Sequence, residues 1–253
     1  MNSPFSLKDK NILITGASSG IGRQCAISCS QMGANVILIA RNEERLKETY
    51  NKLERGNHLF FSQDITEYNK IESVISETVS KLGKINGFIH SAGIEMTLPL
   101  KVMKPEYYNK LFSVNVISGF EFAKIISKKK YLDSNGASFV FIASIMSVVA
   151  NAGLIGYCSS KGAIISGIRS MAIELARKNI RVNSISPGYI QTEMMKKAEE
   201  KMSDSKIKEL RKNFLLGIGK PDDVANACIY LLSDAARWIT GTNLIVDGGY
   251  SAK

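Results

Sequence analysis

A short apolar run that empties into a cluster of glycines limits this chain more than anything else in it. Asn11-Ile12-Leu13-Ile14-Thr15 reads as a buried strand, and Gly16-Ala17-Ser18-Ser19-Gly20-Ile21-Gly22 reads as a turn. Ile21 to about Met32 has a helical pattern. Strand, glycine turn and helix, in that order, are the context that gives a glycine motif meaning. Glycine lets the backbone approach a pyrophosphate closely. The helix N-terminus adds free amides and the positive end of a dipole. The spacing is G-x-x-x-G-x-G, not the commoner G-x-G-x-x-G.

The rest of the chain repeats the alternation. Further strands are expected at Asn35–Ala40, His58–Ser62, Gly87–Ser91, Ala137–Ala143, Arg181–Ser186 and Asn243–Val246. Helices are expected from Glu43 to about Leu53, from Glu67 to Leu82, from 104 to about 128, and from Tyr157 to Leu175. Strands alternating with helices predict an α/β fold: seven strands in one doubly wound parallel sheet, with helices on both faces. No linker, repeat or low-complexity tract divides residues 1–253, so one domain is expected. Residues 191–214 interrupt the alternation with a polar, methionine-bearing run and are expected to form a mobile helical flap over the site.

Ligands of such sheets bind beyond the carboxyl ends of the strands. The glycine turn, Arg41, Asp64, Ala92-Gly93, Ser144 and Pro187-Gly188 all fall at those ends. Tyr157 and Lys161 stand four residues apart, on one face of a helix, with Ser144 thirteen residues before the tyrosine. A fixed positive charge favours a phenolate, so Lys161 is expected to lower the pKa of Tyr157 into the range of general acid–base work. The second strand ends in Ala40 and not in a carboxylate, and Arg41 follows. A carboxylate there would bond the ribose hydroxyls of NAD. A guanidinium instead clamps a 2′-phosphate, which favours NADP(H).

Composition bears on the classes that remain. The net charge is +10 and the pI about 9.4, but the lysines are dispersed and their clusters lack interleaved aromatics. A nucleic-acid partner is therefore not expected. No apolar run is long enough to span a membrane, and no signal peptide is legible at Met1–Lys10. A cytoplasmic protein without a membrane partner is the expectation. Four cysteines without a C-x-x-C pair, and two histidines, argue against a metal site.

Thr15 to Gly22, Asp64, Ala92-Gly93, Asn115, Ser144, Tyr157, Lys161, Pro187-Gly188, Thr192 and Asp247-Gly248-Gly249 together resemble the classical short-chain dehydrogenase/reductase family over essentially the full length. The resemblance implies a single-domain Rossmann fold. It implies that Thr15, Gly16, Ser18, Ser19, Gly20, Ile21 and Gly22 hold the pyrophosphate and adenosine half of the cofactor. Arg41 would take the 2′-phosphate, Asp64 and Ile65 would border the adenine, and Ser91, Ala92 and Gly93 would line the cofactor. Ile190 and Thr192, after Pro187 and Gly188, would hold the carboxamide. Tyr157 would be the general acid/base, Ser144 would bond the substrate oxygen, and Lys161 would bond the ribose. Asn115 would hold a water that links Lys161 to solvent.

Three departures from the family pattern stand out. His90-Ser91 replaces the usual Asn-Asn before Ala92-Gly93; His90 is expected to be a buried, hydrogen-bonded histidine. Ser19 occupies a position where NADP-dependent members often carry a basic residue, so Arg41 and serine hydroxyls would hold the 2′-phosphate alone. Cys158 falls at a position that varies. Within the family the chain is most similar to the 3-oxoacyl-[acyl-carrier-protein] reductases, which implies a thioester substrate, an acidic carrier partner and a homotetramer. The apolar loop from Ile145 to Ile155 fits an acyl chain or steroid better than a bare sugar. Lys128, Lys129, Lys130, Arg169, Arg177 and Lys178 are the expected docking cations. The alternatives are a family member acting on a sugar, polyol or hydroxysteroid, and a non-catalytic cofactor-binding protein.

Overall fold

The computed structural model describes residues 3–200 and 203–252. Its sheet contains β1 (Asn11–Thr15), β2 (Asn35–Ala40), β3 (Leu59–Ser62), β4 (Gly87–His90), β5 (Ala137–Ile142), β6 (Ile180–Pro187) and β7 (Asn243–Val246). The order is β3-β2-β1-β4-β5-β6-β7, and every pair is parallel. The helices are α1 (Gly20–Gln31), α2 (Glu43–Tyr50), α3 (Tyr68–Leu82), α4 (Pro105–Phe112), α5 (Ser118–Ile126), α6 (Ile155–Leu175), α7 (Glu193–Glu199), α8 (Asp204–Lys212) and α9 (Pro221–Leu232). The chain winds outward from β1 to β3, then returns to the other side of β1 with β4. A crevice opens where the order reverses.

Successive side chains on a strand point to opposite faces, and β1 shows the consequence. Leu13 joins a core with Phe88, Phe122, Phe139, Phe141, Ile164 and Ile168, under α3, α5 and α6. Ile12 and Ile14 join the other core with Cys25, Val140, Val224 and Cys228, under α1 and α9. Cys25 and Cys228 bring their sulfurs to 3.6 Å as free, buried thiols. Phe88 is the centre of an aromatic cluster, with ring centroids 5.7–5.9 Å from Phe122, Phe139 and Phe141.

The expected helix over 104–128 is not uniform. Between α4 and α5 lies one π-helical turn, Ser113–Ile117, in which the Ser118 amide donates to the Ser113 carbonyl five residues back. Such turns insert one residue into a helix and recur at functional sites. Leu111, before the turn, meets the start of α6, where a Cβ on Gly156 would stand 2.7 Å from its Cδ1. Phe122, after the turn, stacks on Phe88.

The expected docking cations lie mostly away from the rim that holds Ser144. Parallel strands return through helices that run against them. The ends of α5 and α6 therefore lie at the amino rim of the sheet, opposite the rim where β5 delivers Ser144. Lys128, Lys129, Lys130, Arg177 and Lys178 follow those ends. Lys128 and Lys130 are engaged with Glu72 at 2.8 and 2.9 Å, and Lys178 donates to the Ser127 carbonyl at 3.0 Å. Among the described residues no helix is long and apolar enough to cross a membrane.

Phe88 is fully buried against three aromatic rings. Phe88→Ala is expected to lower stability by about 3–5 kcal/mol in urea unfolding. A loss below about 1 kcal/mol would show that the cluster collapses around the gap.

Candidate active site

The carboxyl rim of β1 is built for close approach. Gly16 has φ +71°, and a Cβ there would meet the Ala92 nitrogen at 2.7 Å. The turn after β1 thus lies directly against the turn after β4. A Cβ on Gly22 would fall 2.3 Å from the Gly16 carbonyl oxygen and 3.2 Å from Ser91 Oγ. Ser19 is the N-cap of α1 but makes no side-chain capping bond, and the first turn of α1 carries no acidic residue. The first amides of α1 therefore face a glycine-walled cradle without an internal anion, which fits a pyrophosphate. Ile21 is half-buried, and the Ser18 carbonyl takes a 2.6 Å bond from Arg23. Gly20, at φ +53°, adjoins the Thr192 methyl, 3.3 Å from its own Cβ position.

Along the rim, β2 delivers Arg41. Its side chain is 74% exposed, and Nη1 stands 4.0 Å from Asp64 Oδ2, so the guanidinium is only loosely held. Asp64 accepts from the Thr66 amide at 2.9 Å and hydroxyl at 2.8 Å. The amide bond, then the hydroxyl and Arg41, hold its carboxyl below the usual range against a smaller effect of burial. Ile65 is buried beside it.

The reacting corner forms where β4, β5, α6 and the π turn meet. Lys161, 4% exposed, donates from Nζ to the Ile142 carbonyl at 2.8 Å. Burial pushes its pKa down to about 8. A Cβ on Gly93 would stand 3.3 Å from Lys161 Nζ and 3.5 Å from Asn115 Oδ1, so lysine and asparagine share one wall. Asn115 is fully buried in the π turn. Its Oδ1 accepts from the Ile94 amide at 2.8 Å, and its Nδ2 donates to the Ile94 carbonyl and to Ser160 Oγ at 3.0 Å each. Both ends of that side chain are spent on holding the β4 loop. Ser144 follows β5 and accepts from the Met146 amide at 3.2 Å.

Tyr157 corrects one expectation. Burial pushes its phenol up to about 12; the hydrogen bond with Ser144 pulls it back, and Glu95 and Cys158 add to the rise. The expected depression by Lys161 is absent in the protein alone. The lysine nitrogen lies 5.8 Å from the tyrosine ring centroid and is bonded to a carbonyl.

The rim closes with the segment after β6. Pro187 is buried, and a Cβ on Gly188 would meet Asp247 Cα at 2.8 Å. Ile190 is buried and pairs with Gly219. Thr192 caps α7, accepting from the Met195 amide at 3.3 Å. Residues 191–214 form α7 and α8, with Met195 and Phe214 buried. Residues 201 and 202 of the expected flap lie outside the described residues.

Sequence reasoning brought the glycine turn, Arg41, Asp64, Ala92-Gly93, Ser144 and Pro187-Gly188 to the carboxyl ends of the strands, and in the structure they follow those ends, with Tyr157, Lys161 and Asn115 nearby. It missed Glu95, which bears on the hydroxyls of both Tyr157 and Tyr189. It also missed the ion pair of Arg45 with Glu193, which ties α7 to α2 across the rim, and Ser160, which braces Asn115. Glu95, Arg45 and Glu193 sit in no motif, and Ser160 is an unremarked position between Tyr157 and Lys161. Among the described residues no group of three or more His, Cys, Asp or Glu could hold a metal ion.

Comparisons with known proteins show which family the chain resembles along its length. The family model described as Enoyl-(Acyl carrier protein) reductase matches residues 16–251. The NAD-dependent glycerol dehydrogenase of Listeria innocua is 36% identical over 250 residues, covering 98% of this chain and 96% of that protein. The 3-oxoacyl-[acyl-carrier-protein] reductase FabG of Thermotoga maritima is 32% identical, covering 96% of this chain and 98% of that one. A solved structure of 7 alpha-hydroxysteroid dehydrogenase, complexed with NADH and 7-oxo glycochenodeoxycholic acid, superposes with a TM-score of 0.92. It has 30% identity and covers 98% of this chain and 97% of that one.

The folded pKa of Lys161 lies below its unfolded value near 10.4, so the folded protein releases this proton first. Its contribution to stability therefore rises with pH between about 8 and about 10.4. Lys161→Met is expected to stabilise the cofactor-free protein at pH 7 by roughly 2–3 kcal/mol, with the gain lost by about pH 10.5. Thermal melts at the two pH values check this; a variant less stable at pH 7 would contradict it.

Proposed function

Because the chain belongs to the classical short-chain dehydrogenase/reductase family, we propose that it interconverts a ketone and a secondary alcohol, with NADP(H) as the preferred cofactor and a 3-oxoacyl thioester as the substrate. The observation that carries the reading is the corner in which Ser144, Tyr157, Lys161 and Asn115 converge where β4, β5, α6 and the π turn meet. The cofactor supplies or accepts the hydride. Thr15, Gly16, Ser18, Ser19, Gly20, Ile21 and Gly22 hold its pyrophosphate side. Arg41 meets the 2′-phosphate, and Asp64 and Ile65 border the adenine. Ser91, Ala92 and Gly93 form the inner wall. Pro187, Gly188, Ile190 and Thr192 hold the carboxamide.

Tyr157 gives its phenolic proton to the substrate oxygen in reduction and takes it back in oxidation. Ser144 donates a hydrogen bond to the same oxygen, where negative charge develops. Lys161 binds the ribose and replenishes the proton of Tyr157 along the wall it shares with Asn115. A phenol whose pKa stands at about 12 alone is a reluctant acid. Cofactor binding would bring the ribose to Lys161 and complete the electrostatics that the protein alone lacks.

Apolar side chains exposed near this rim, Val148, Ile155, Met194, Leu215 and Leu216, support an acyl chain. A second reading, a small polyol, is supported by the Tyr189 hydroxyl, which is buried without a partner among the described residues. A homotetramer is supported by the exposed Ile173, Trp238 and Ile245 and by the unpaired edge of β7.

Oxidation of NADPH and NADH is to be followed on acetoacetyl-CoA, dihydroxyacetone and a 7-oxo bile acid. Turnover of acetoacetyl-CoA with NADPH, abolished in Tyr157→Phe, is the expected result. Turnover of dihydroxyacetone alone would favour the polyol reading. Arg41→Ala is expected to raise the KM for NADPH by roughly 10–100-fold, the size of one charge-assisted bond, and to leave that for NADH nearly unchanged. Equal effects on both would remove Arg41 from 2′-phosphate recognition. Light scattering after gel filtration tests the tetramer.

A further inference from the structure

On the face of β6 that packs under α6, the side chains change character along the strand. Ile180 and Val182 belong to the apolar core. Beyond them on the same face stand Ser184 and Ser186, both 0% exposed. A buried hydroxyl is costly unless it is bonded. Both reach Asn243, the first residue of β7: Ser184 Oγ donates to Asn243 Oδ1 at 2.9 Å, and Ser186 Oγ donates to it at 2.8 Å. Ser186 Oγ also lies 3.2 Å from Ser147 Oγ. Ser147 closes the short turn Ile145–Ser147, of which Ser144 is the cap. The Ser147 hydroxyl donates to the Ser144 carbonyl, and the Ser147 amide donates to the same oxygen at 2.9 Å.

Each of these hydroxyls has one hydrogen. That of Ser147 goes to the Ser144 carbonyl. The approach of Ser186 is then favourable only with Ser186 as donor, its hydrogen shared between Ser147 Oγ and Asn243 Oδ1. The chain of bonds thus has one direction, from β6 through Ser147 to the backbone of Ser144. The turn it braces also orients the Ser144 side chain. Ser144 Oγ accepts from the Met146 amide at 3.2 Å, which leaves its own hydrogen for another acceptor. At the other end of the chain, Ser186 immediately precedes Pro187-Gly188.

We propose that Ser147, backed by Ser186, is a positioning residue of the reacting corner: it holds Ser144 in register with the segment that follows β6. On the reductase reading, those are the group that bonds the substrate oxygen and the segment that holds the carboxamide. Neither serine touches substrate or cofactor in this role. The kinetic arm of the test rests on that reading; the exchange arm, which reads the brace on the Ser144 turn, does not.

The variants are Ser147→Ala, Ser186→Ala, their double variant and Ser147→Thr, with Ser138→Ala as the control. Ser138 is a buried serine near the other end of β5, where its hydroxyl donates to the Leu231 carbonyl at 2.8 Å. With the carbonyl probe turned over fastest in the preceding panel, Ser147→Ala and Ser186→Ala should each lose roughly fivefold in kcat, the size of one neutral hydrogen bond, with cofactor KM unchanged. The double variant should lose little more than either alone, because both cut one chain. Ser147→Thr keeps the hydroxyl and should stay within about twofold of the parent. Ser138→Ala should lower the melting temperature and leave kcat alone. In protein labelled with 15N-methionine, the Met146 amide, which donates to Ser144 Oγ, should exchange faster in Ser147→Ala and Ser186→Ala and at the parent's rate in Ser138→Ala. An active Ser147→Ala with the parent's kcat would overturn the proposal, whatever its Met146 rate. So would losses that multiply in the double variant, or an equal loss in Ser138→Ala. If no probe is turned over, the reductase reading falls and the Met146 rates decide the brace: unchanged rates in both alanine variants would overturn it.

Discussion

Parallel strands cannot be joined by a tight turn. Each must be left at one rim and re-entered at the other, so a helix has to carry the chain back. In this protein that single constraint sends the carboxyl ends of all seven strands to the same side. It also opens a crevice beside β1, where the winding reverses. The glycine turn, Arg41, Asp64, the β4 loop, Ser144 and the segment after Pro187 share a rim because they have no other place to be.

Within the crevice, function works against stability. Lys161 is a charge almost without solvent, held by one carbonyl oxygen. Tyr157 is a phenol whose burial resists ionisation. Neither state favours the folded protein alone, and each suits a site that a bound cofactor would complete. The same holds for the cradle after β1, where helix amides are left uncapped. The surrounding aromatic cluster and the two apolar layers carry the stability that these groups do not.

Much of this was legible in the residues. The strands read as apolar runs, and their ends as glycines or short polar residues, because a buried parallel strand leaves little choice. The spacing of Tyr157 and Lys161 follows from one helical turn. The failures have physical causes. A π turn does not select residue types, so 104–128 read as one smooth helix. The pKa of Tyr157 depends first on burial and then on the hydrogen bond with Ser144, neither of which the chain order displays. The charge of Lys128, Lys129 and Lys130 is visible in the sequence, but the rim on which it lands is not. His90 was read as a buried, hydrogen-bonded histidine, and it is one through Thr15, although among the described residues its Nε2 has no partner.

The π turn also has a geometric consequence for the rod that contains it. Residues eleven apart on a regular α-helix return to nearly the same direction, since three turns take about 10.8 residues. Leu111 and Phe122 are eleven apart, yet one meets the start of α6 and the other the middle of the sheet. The inserted residue advances the chain without advancing the rotation, offsetting the second half by roughly one residue's arc, about 100°. The rod thus has two apolar stripes set out of phase. Deleting one residue between 113 and 117 would restore a single stripe, and one of its two partners would then face polar side chains.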